Sequence, residues 1–183
     1  MDETECAAKI IHKHISTGSD MGDKYVKELS IQSNLRHPNI TQFLGICELP
    51  ESSLPVLITE LMHSNLHDFL SRSDLRDVVP LSYKKSILED IAKGLHYLHK
   101  QNIVHRDLTA KNVLLTSSLV AKIADLGNSR ILPEEEFAKL TSQPGTLVYM
   151  PPEANTPGFY SSKLDIFSFG HLTLFILIQV SSV

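Results

Sequence analysis

A short run in the middle of the chain carries the side chains best suited to chemistry. Residues 105–112 read His-Arg-Asp-Leu-Thr-Ala-Lys-Asn, and an Asp-Leu-Gly turn begins at Asp125, thirteen residues after Asn112. Asp107 is a candidate base, and Asn112 and Asp125 offer the oxygen ligands that Mg²⁺ prefers. A base and a metal suit phosphoryl transfer, because the triphosphate charge must be neutralised and the acceptor hydroxyl aimed at phosphorus.

The elements that must position these residues are predicted to be those of an α+β chain. The first part is rich in strands, which are predicted over residues 6–12, 40–47 and 54–60. Residues 16–23 contain Gly, Ser and Asp and are expected to form a loop. A helix carrying Glu28 is predicted over residues 24–35, because its apolar residues recur at helical spacing.

The second part is predicted to be mainly helical, with helices over residues 65–70, over 82–99 and from 162 onward. The helix over 82–99 has one apolar stripe, formed by Ile87, Ile91, Leu95 and Leu98. A hairpin over 113–115 and 121–124 would bring Asn112 and Asp125 to the same end. Residues 126–160 have no periodicity, and a capping box at Ser162 and Asp165 is expected to open the last helix.

Five short strings resemble the signature motifs of the eukaryotic protein kinase catalytic domain and follow that family's order. They are Ala7-Ala8-Lys9, similar to the end of V-A-I-K; His105–Asn112, similar to H-R-D-L-x-x-x-N; Asp125-Leu126-Gly127, similar to D-F-G; Pro151-Pro152-Glu153, similar to A-P-E; and Asp165–Gly170, similar to D-x-W-S-F-G. Glu28 lies where the family has the glutamate that pairs with the lysine. These motifs combine features of tyrosine kinases and of serine/threonine kinases, and this combination is most similar to the tyrosine kinase-like group.

The resemblance implies an incomplete bilobal α+β fold of the protein kinase type. Residues 1–60 would be a partial small lobe that lacks the family's first two strands and the glycine-rich loop between them. Residues 61–64 would be the hinge. Residues 65–183 would be a partial, helical large lobe that ends in its central helix.

The same resemblance implies the roles of individual site residues. Asp107 would accept the proton of the substrate hydroxyl, with Lys111 and Asn112 beside it, and Asn112 and Asp125 would hold Mg²⁺. Lys9 would contact the α- and β-phosphates of ATP while pairing with Glu28. The adenine would hydrogen-bond to backbone groups of the segment that contains Glu60 and Met62, with Thr59 at the gatekeeper position. Ala7 and Leu114 would cover its two faces.

Two further residues bear on regulation. Arg106 is expected to receive a phosphate from the activation segment, where Thr141 and Ser142 are candidate phosphorylation sites. Gln32 departs from the family, which usually has an apolar residue there in a stack with Phe43, His105 and Leu126. We expect this glutamine either to weaken the stack or to hydrogen-bond nearby backbone.

The implied activity is transfer of the γ-phosphoryl group of ATP to protein hydroxyls. The acceptor cues conflict, because Lys111 lies where many tyrosine kinases have arginine, whereas Gly145–Met150 resembles the G-T-x-x-Y-M of serine/threonine enzymes. We therefore expect serine/threonine specificity and leave tyrosine open. Two alternatives belong to other classes: a pseudokinase-like module that binds ATP or a partner without transfer, and a truncated fragment without function.

The bulk composition restricts the partners. The net charge of −4 gives no basic excess for nucleic acid, and the most apolar stretch, residues 172–180, is too short to cross a bilayer. Two cysteines, Cys6 and Cys47, make no disulfide framework, so a reducing, cytoplasmic location is expected. The expected partners are ATP, a protein substrate, and a regulatory partner or flanking domains that would cover the apolar last helix.

Overall fold

The computed structural model describes residues 5–10, 19–48, 55–72, 79–132, 138–139 and 159–178. Several expectations concern other parts of the chain. Thr141, Ser142, Gly145–Met150 and the Pro151-Pro152-Glu153 string lie outside the described residues.

Strands dominate the first part of the chain and helices the second. In chain order the elements are β1 (Cys6–Lys9), α1 (Ser19–Asn34), β2 (Phe43–Cys47), β3 (Val56–Glu60), β4 (Ser64–Asn65), α2 (Leu66–Ser71), α3 (Leu81–Lys100), β5 (Ile103–Val104), β6 (Val113–Leu115), β7 (Ala121–Ile123), a 3-10 turn (Leu126–Asn128), β8 (Arg130–Ile131), β9 (Ala138–Lys139), β10 (Phe159–Tyr160) and α4 (Lys163–Ile178). This arrangement agrees with the predicted α+β class.

The first sheet presents Lys9 on a face shared with the predicted nucleotide contacts. Its antiparallel strands have the order β1-β3-β2. Ala7 lies opposite Thr59, and Lys9 lies opposite Leu57. Because directly opposed residues point to the same side of a sheet and alternate residues share a face, these four side chains lie on one face.

Helix α1 is longer than predicted and begins at Ser19. The prediction that residues 16–23 form a loop is therefore wrong for residues 19–23. Ser and Asp are residue types that favour the first turn of a helix, where their oxygens suit the unpaired amides and the positive end of the dipole. Gly22 costs such a helix only about 1 kcal/mol relative to alanine, which tertiary packing can offset.

Helix α3 forms the centre of the core, as its apolar stripe predicted. Ile87, Ile91, Leu95 and Leu98 are all buried. Gly94 lies on the buried side of the same helix, and an ideal Cβ there would be only 2.7 Å from the carbonyl oxygen of Asn39. The glycine thus allows α3 to approach the chain segment that follows α1.

That segment, residues 39–41, is hydrogen-bonded to β7 in the second part of the chain. The Thr41 amide donates to the Ile123 carbonyl at 2.9 Å, and the Ile123 amide donates to the Asn39 carbonyl at 2.9 Å. The Asn39 side-chain amide also donates to the carbonyl of Ala121 at 3.0 Å. The strand predicted over 40–47 therefore begins only at Phe43, since the residues before it pair with a different sheet.

The β6–β7 hairpin has the predicted consequence for the site. Val113 lies opposite Ile123, and the Ala124 amide donates to the Asn112 carbonyl at 2.9 Å. Asn112 enters β6 at the end where the chain leaves β7 toward Asp125. The hairpin therefore brings these two residues to the same end, which confirms the prediction.

Helix α4 begins at Lys163, and its predicted capping box is wrong. The Asp165 amide donates to the Ser162 carbonyl at 3.1 Å, and the hydroxyl that accepts a helix-start amide is that of Ser161, which bonds Lys163 at 3.2 Å. The Asp165 carboxylate points into the protein instead. Both sides of the helix are apolar: Leu172 and Ile176 are buried, whereas the exposed apolar residues are Ile166, Leu174, Leu177 and Ile178.

Among the helices of the described part, none is both long enough and apolar enough to span a bilayer.

Candidate active site

Lys9, Glu28 and Asp125 meet although they come from three different elements. The Lys9 ammonium lies 2.8 and 3.0 Å from the two carboxylate oxygens of Glu28 and 2.9 Å from Oδ1 of Asp125. Glu28 is only 3% exposed, while Lys9 and Asp125 remain partly open to solvent. One ammonium thus joins the first sheet, the middle of α1 and the turn after β7.

The charges of this cluster move the three pKa values in different ways. Burial raises the pKa of Glu28, and the attraction of Lys9 only partly opposes it. Burial also acts to raise the pKa of Asp125, but the Lys9 ammonium, together with smaller contributions that include the backbone amide of Gly127, outweighs it and lowers that pKa. Burial acts to lower the pKa of Lys9, but the two carboxylates outweigh it and raise that pKa. At neutral pH the cluster therefore contains an ionised Asp125 and a protonated Lys9.

The turn around Asp125 is held in an uncommon backbone conformation. Asp125 has φ 58° and ψ 75°, in the left-handed region, which aspartate tolerates better than most residues. A Cβ added to Gly127 would lie 3.3 Å from both Asp125 Oδ1 and a Glu28 oxygen. Glycine at position 127 therefore leaves room for the two carboxylates to approach Lys9 together.

Asp107 and Asn112 lie on one loop and orient one another. The Asn112 side-chain amide donates to the Asp107 carbonyl at 2.7 Å and to its Oδ2 at 3.3 Å. Asn128 donates to the same Oδ2 at 3.3 Å. Because the NH2 group of Asn112 faces Asp107, its Oδ1 is left for another ligand, and no described residue donates to it.

The loop carrying Asp107 is anchored by Asp165, a role that the sequence prediction missed. The fully buried Asp165 accepts the backbone amides of His105 at 2.8 Å and Arg106 at 2.9 Å, and it contacts His99 Nε2 at 2.8 Å. Arg106 has φ 71°, and the two carboxylate bonds help to hold that backbone turn. A signal existed in the sequence: an aspartate within an apolar helix must find polar partners when it is buried.

A cavity of about 240 Å³ contains most of the predicted site. The predicted residues that line it are Lys9, Glu28, Thr59, Lys111, Asn112, Leu114 and Asp125. Four lining residues were not predicted as nucleotide contacts, namely Gln32, Thr41, Leu57 and Ala124. The last of these accepts a hydrogen bond from His105 Nε2 at 2.9 Å, if that nitrogen carries the proton.

Three predicted nucleotide contacts, Ala7, Glu60 and Met62, do not line this cavity. The side chain of Glu60 bonds Lys122 at 2.7 and 2.8 Å and accepts the amide of Gln42 at 2.7 Å. Contact between adenine and Glu60 would therefore use its backbone, as the resemblance implied.

The residues of the site fit a magnesium ion. The ion prefers oxygen ligands, and Asn112 Oδ1 together with the ionised Asp125 carboxylate offers them beside the same cavity.

The chain is similar to known protein kinases. The family described as protein tyrosine and serine/threonine kinase matches residues 1–181. The chain belongs to this family of protein kinases. Its α+β architecture is that part of the kinase fold that runs from the lysine strand to the long apolar helix.

The similar proteins include one named as a serine/threonine kinase and one named as a tyrosine kinase. A G-type lectin S-receptor-like serine/threonine-protein kinase of Arabidopsis thaliana is 35% identical over 93% of this chain and 21% of its own length. The seven transmembrane domain-containing tyrosine-protein kinase 1 of Dictyostelium discoideum is 40% identical over 93% of this chain and 25% of its own length. Cysteine-rich receptor-like protein kinase 44 of Arabidopsis thaliana is 37% identical over 92% of this chain and 46% of its own length. The chain thus spans between about a fifth and a half of these relatives.

Proposed function

We propose that this site binds ATP with Mg²⁺ and transfers the γ-phosphoryl group to a serine or threonine hydroxyl of a protein, with tyrosine as the second acceptor class. The observation that carries the proposal is the meeting of Lys9, Glu28 and Asp125 beside the cavity that Asn112 also lines. Family membership supports the reaction class.

The proposed roles follow the chemistry of each group. Lys9, held by Glu28, binds the phosphates, and Asn112 and Asp125 hold Mg²⁺, which neutralises phosphate charge when bound. Asp107 orients the acceptor hydroxyl and takes its proton as the new oxygen–phosphorus bond forms, while ADP leaves with the electrons of the broken bond. Lys111, exposed at the cavity, is placed to offset negative charge during transfer.

The nucleoside part is proposed to bind along the first sheet. Thr59 and Leu114 line the cavity, and Ala7 lies opposite Thr59 in the sheet. We assign the adenine to this region, with backbone groups of Glu60 and Met62 as its hydrogen-bonding partners. In this assignment residues 1–60 belong to the small lobe, residues 61–64 form the hinge and residues 65–183 belong to the large lobe.

The cellular setting is also a proposal. The cysteines of the described part, Cys6 and Cys47, are free and exposed, which suits a reducing compartment such as the cytoplasm. The partners we propose are a protein substrate and either a regulatory protein or flanking domains of a longer chain.

Replacing Asp107 by Asn tests the central assignment, because asparagine keeps the shape of the side chain but cannot take a proton. Phosphate transfer from labelled ATP to a generic acceptor protein should fall roughly 10²–10⁴-fold, the usual contribution of a catalytic base. The dissociation constant of Mg-ATP, measured by calorimetry, should change little. Glu89→Gln, an exposed carboxylate on α3, is the matched control.

The outcomes separate the competing activities. Mg-ATP binding without transfer by the wild-type chain would support a binding module and contradict the kinase proposal. Normal transfer by the Asp107→Asn variant would contradict the role of that residue. Peptides that differ only in Ser, Thr or Tyr at the acceptor position would decide the acceptor class.

A further inference from the structure

One wall of the cavity is polar where its position in the fold favours apolar side chains. We call Gln32, Thr41 and Thr59 the polar wall; all three line the cavity, and Leu57 lies beside them. Gln32 and Thr41 are each only 3% exposed. A buried amide is costly unless both its donor and its acceptor are bonded, so the contacts of Gln32 show what the wall can bind.

The amide of Gln32 has one weak bond. Its Nε2 donates to the backbone carbonyl of Thr41 at 3.5 Å, which is long for an N–H···O bond. Because that carbonyl can only accept, the NH2 group must face it, and Oε1 lies on the other side of the amide. Within the described part of the chain, no residue donates a hydrogen bond to Oε1.

The two threonines add to this polarity in different ways. Thr41 Oγ1 donates to the Ile123 carbonyl at 3.1 Å, so its proton is already used. Thr59 faces the same cavity from β3, and its hydroxyl has no hydrogen-bond partner among the residues that the structure describes. The hydroxyl oxygen of Thr41 can still accept, so the wall offers three acceptors from different parts of the fold: Gln32 Oε1, Thr41 Oγ1 and Thr59 Oγ1.

We propose that Gln32 makes the polar wall a subsite for a hydrogen-bond donor, a hydroxyl or N–H group carried on the inner edge of a ligand in the nucleotide cavity. The ligand class is a planar heteroaromatic compound that competes with ATP. This inference rests on the proposed function, since it assumes that the cavity accepts such rings. An apolar residue at position 32 would present only methyl groups, so the preference for a donor belongs to this side chain.

A matched pair of probes tests the proposal on the whole chain. The pair is a 4-aminopyrazolopyrimidine carrying a 3-hydroxyphenyl group and its 3-methylphenyl counterpart, which differ by one hydroxyl in place of one methyl. The hydroxyl compound should bind the wild-type chain about tenfold more tightly, the value of one net hydrogen bond. Binding is measured by calorimetry and by competition with Mg-ATP.

Three variants assign the preference to a residue. Gln32→Met keeps the length of the side chain and removes both polar atoms, so the methyl compound should then bind at least as tightly as the hydroxyl compound. Gln32→Leu serves as the second variant if the methionine variant does not fold. Gln101→Leu, an exposed glutamine after α3, should leave the wild-type preference unchanged.

The outcomes distinguish this inference from the proposed function. If Mg-ATP binds and the two probes bind the wild-type chain equally, or neither probe binds, the subsite is overturned while the proposed function stands. An unchanged preference in Gln32→Met or Gln32→Leu would also overturn it. If Mg-ATP does not bind at all, the proposed function fails, whereas a preference that disappears only with Gln32 supports the subsite.

Discussion

Glu28 and Asp125 share one ammonium but differ in their electrostatic surroundings. Glu28 is enclosed by protein, so burial dominates and its pKa lies above the ordinary value of 4.5. Asp125 is partly open to water, and Lys9 outweighs burial, so its pKa lies below the ordinary value of 3.8. On acidification, Glu28 therefore protonates at a higher pH than an ordinary glutamate, and Asp125 protonates at a lower pH than an ordinary aspartate.

We predict opposite pH dependences for the two carboxyls in the chain without ligand. Asp125, with its lowered pKa, stabilises the fold above pH 3.8 and loses this contribution as the pH falls through its folded pKa. Glu28, with its raised pKa, favours folding most below pH 4.5 and loses that contribution as the pH rises through its folded pKa.

Unfolding free energies of the wild type, Asp125→Asn and Glu28→Gln as a function of pH would check both signs. The wild-type advantage over Asp125→Asn should shrink below pH 3.8, and that over Glu28→Gln should shrink above pH 4.5. Carboxyl titrations by NMR that place both midpoints on the same side of their ordinary values would contradict the prediction.

Among the elements, α4 contributes an anchor to the loop that carries Asp107 as well as apolar surface. We predict that Asp165→Asn lowers the free energy of unfolding by about 3 kcal/mol, because it removes a buried charge that accepts two backbone amides. Phosphate transfer should fall with it, since the His105–Asp107 backbone loses its support. Glu89→Gln on α3, an exposed carboxylate, should leave the denaturation midpoint nearly unchanged. Equal midpoints for both variants would argue against the anchor.

Two helical glycines should respond oppositely to the same substitution. In α3, Gly94→Ala would place a methyl group 2.7 Å from the Asn39 carbonyl and 3.0 Å from Ile123, so we predict a net loss of roughly 1–3 kcal/mol despite the better helix propensity of alanine. In α4, the corresponding Cβ at Gly170 meets nothing within 4 Å in the described part of the chain, and Gly170→Ala should stabilise by about 0.5–1 kcal/mol. Chemical denaturation decides both signs, and stabilisation by Gly94→Ala would show that α3 can move away.

Local patterns predicted the elements better than their contacts. The buried stripe of α3 and the β6–β7 hairpin depend on neighbouring residues, so their spacing was sufficient to predict them. The capping-box prediction failed at Asp165 because the partners of its carboxylate lie about 60 positions earlier in the chain. The start of α1 was missed for a different reason: a glycine- and aspartate-rich stretch suits both a loop and a helix start.

Contacts between residues distant in sequence also limited the prediction of the candidate site. Motif resemblance identified Lys9, Glu28, Asn112 and Asp125, and the structure places all four beside one cavity. It could not show that Thr41 lines that cavity, since residues 39–41 carry no motif and approach it only by pairing with β7. Nor could it show that Gln32 would face the cavity with one weak bond, because that depends on the rotation of α1 about its axis.

At the scale of the whole molecule, a half-buried ion pair joins β3 to the β6–β7 hairpin of the second part. Glu60 and Lys122 have side chains that are only 22% and 15% exposed. We predict a coupling energy of roughly 1–2 kcal/mol in a double-mutant cycle of Glu60→Gln and Lys122→Met, more than exposed pairs usually give. The exposed pair Glu89 and Lys93 on α3 is the control, and its coupling should be smaller and more sensitive to salt. Equal coupling energies for the two pairs would mean that burial does not strengthen the interaction between Glu60 and Lys122.

Residues 39–41 also join the two parts of the molecule. The chain leaves α1, bonds to β7, returns to the first sheet as β2, and departs again after β3. The chain therefore joins the first sheet to the rest of the protein at two neighbouring junctions, near Gln42 and after Glu60, which are hydrogen-bonded to each other. Because residues of the first sheet and Ala124 after β7 line the same cavity, a rotation of the sheet at these junctions would change the width of that cavity.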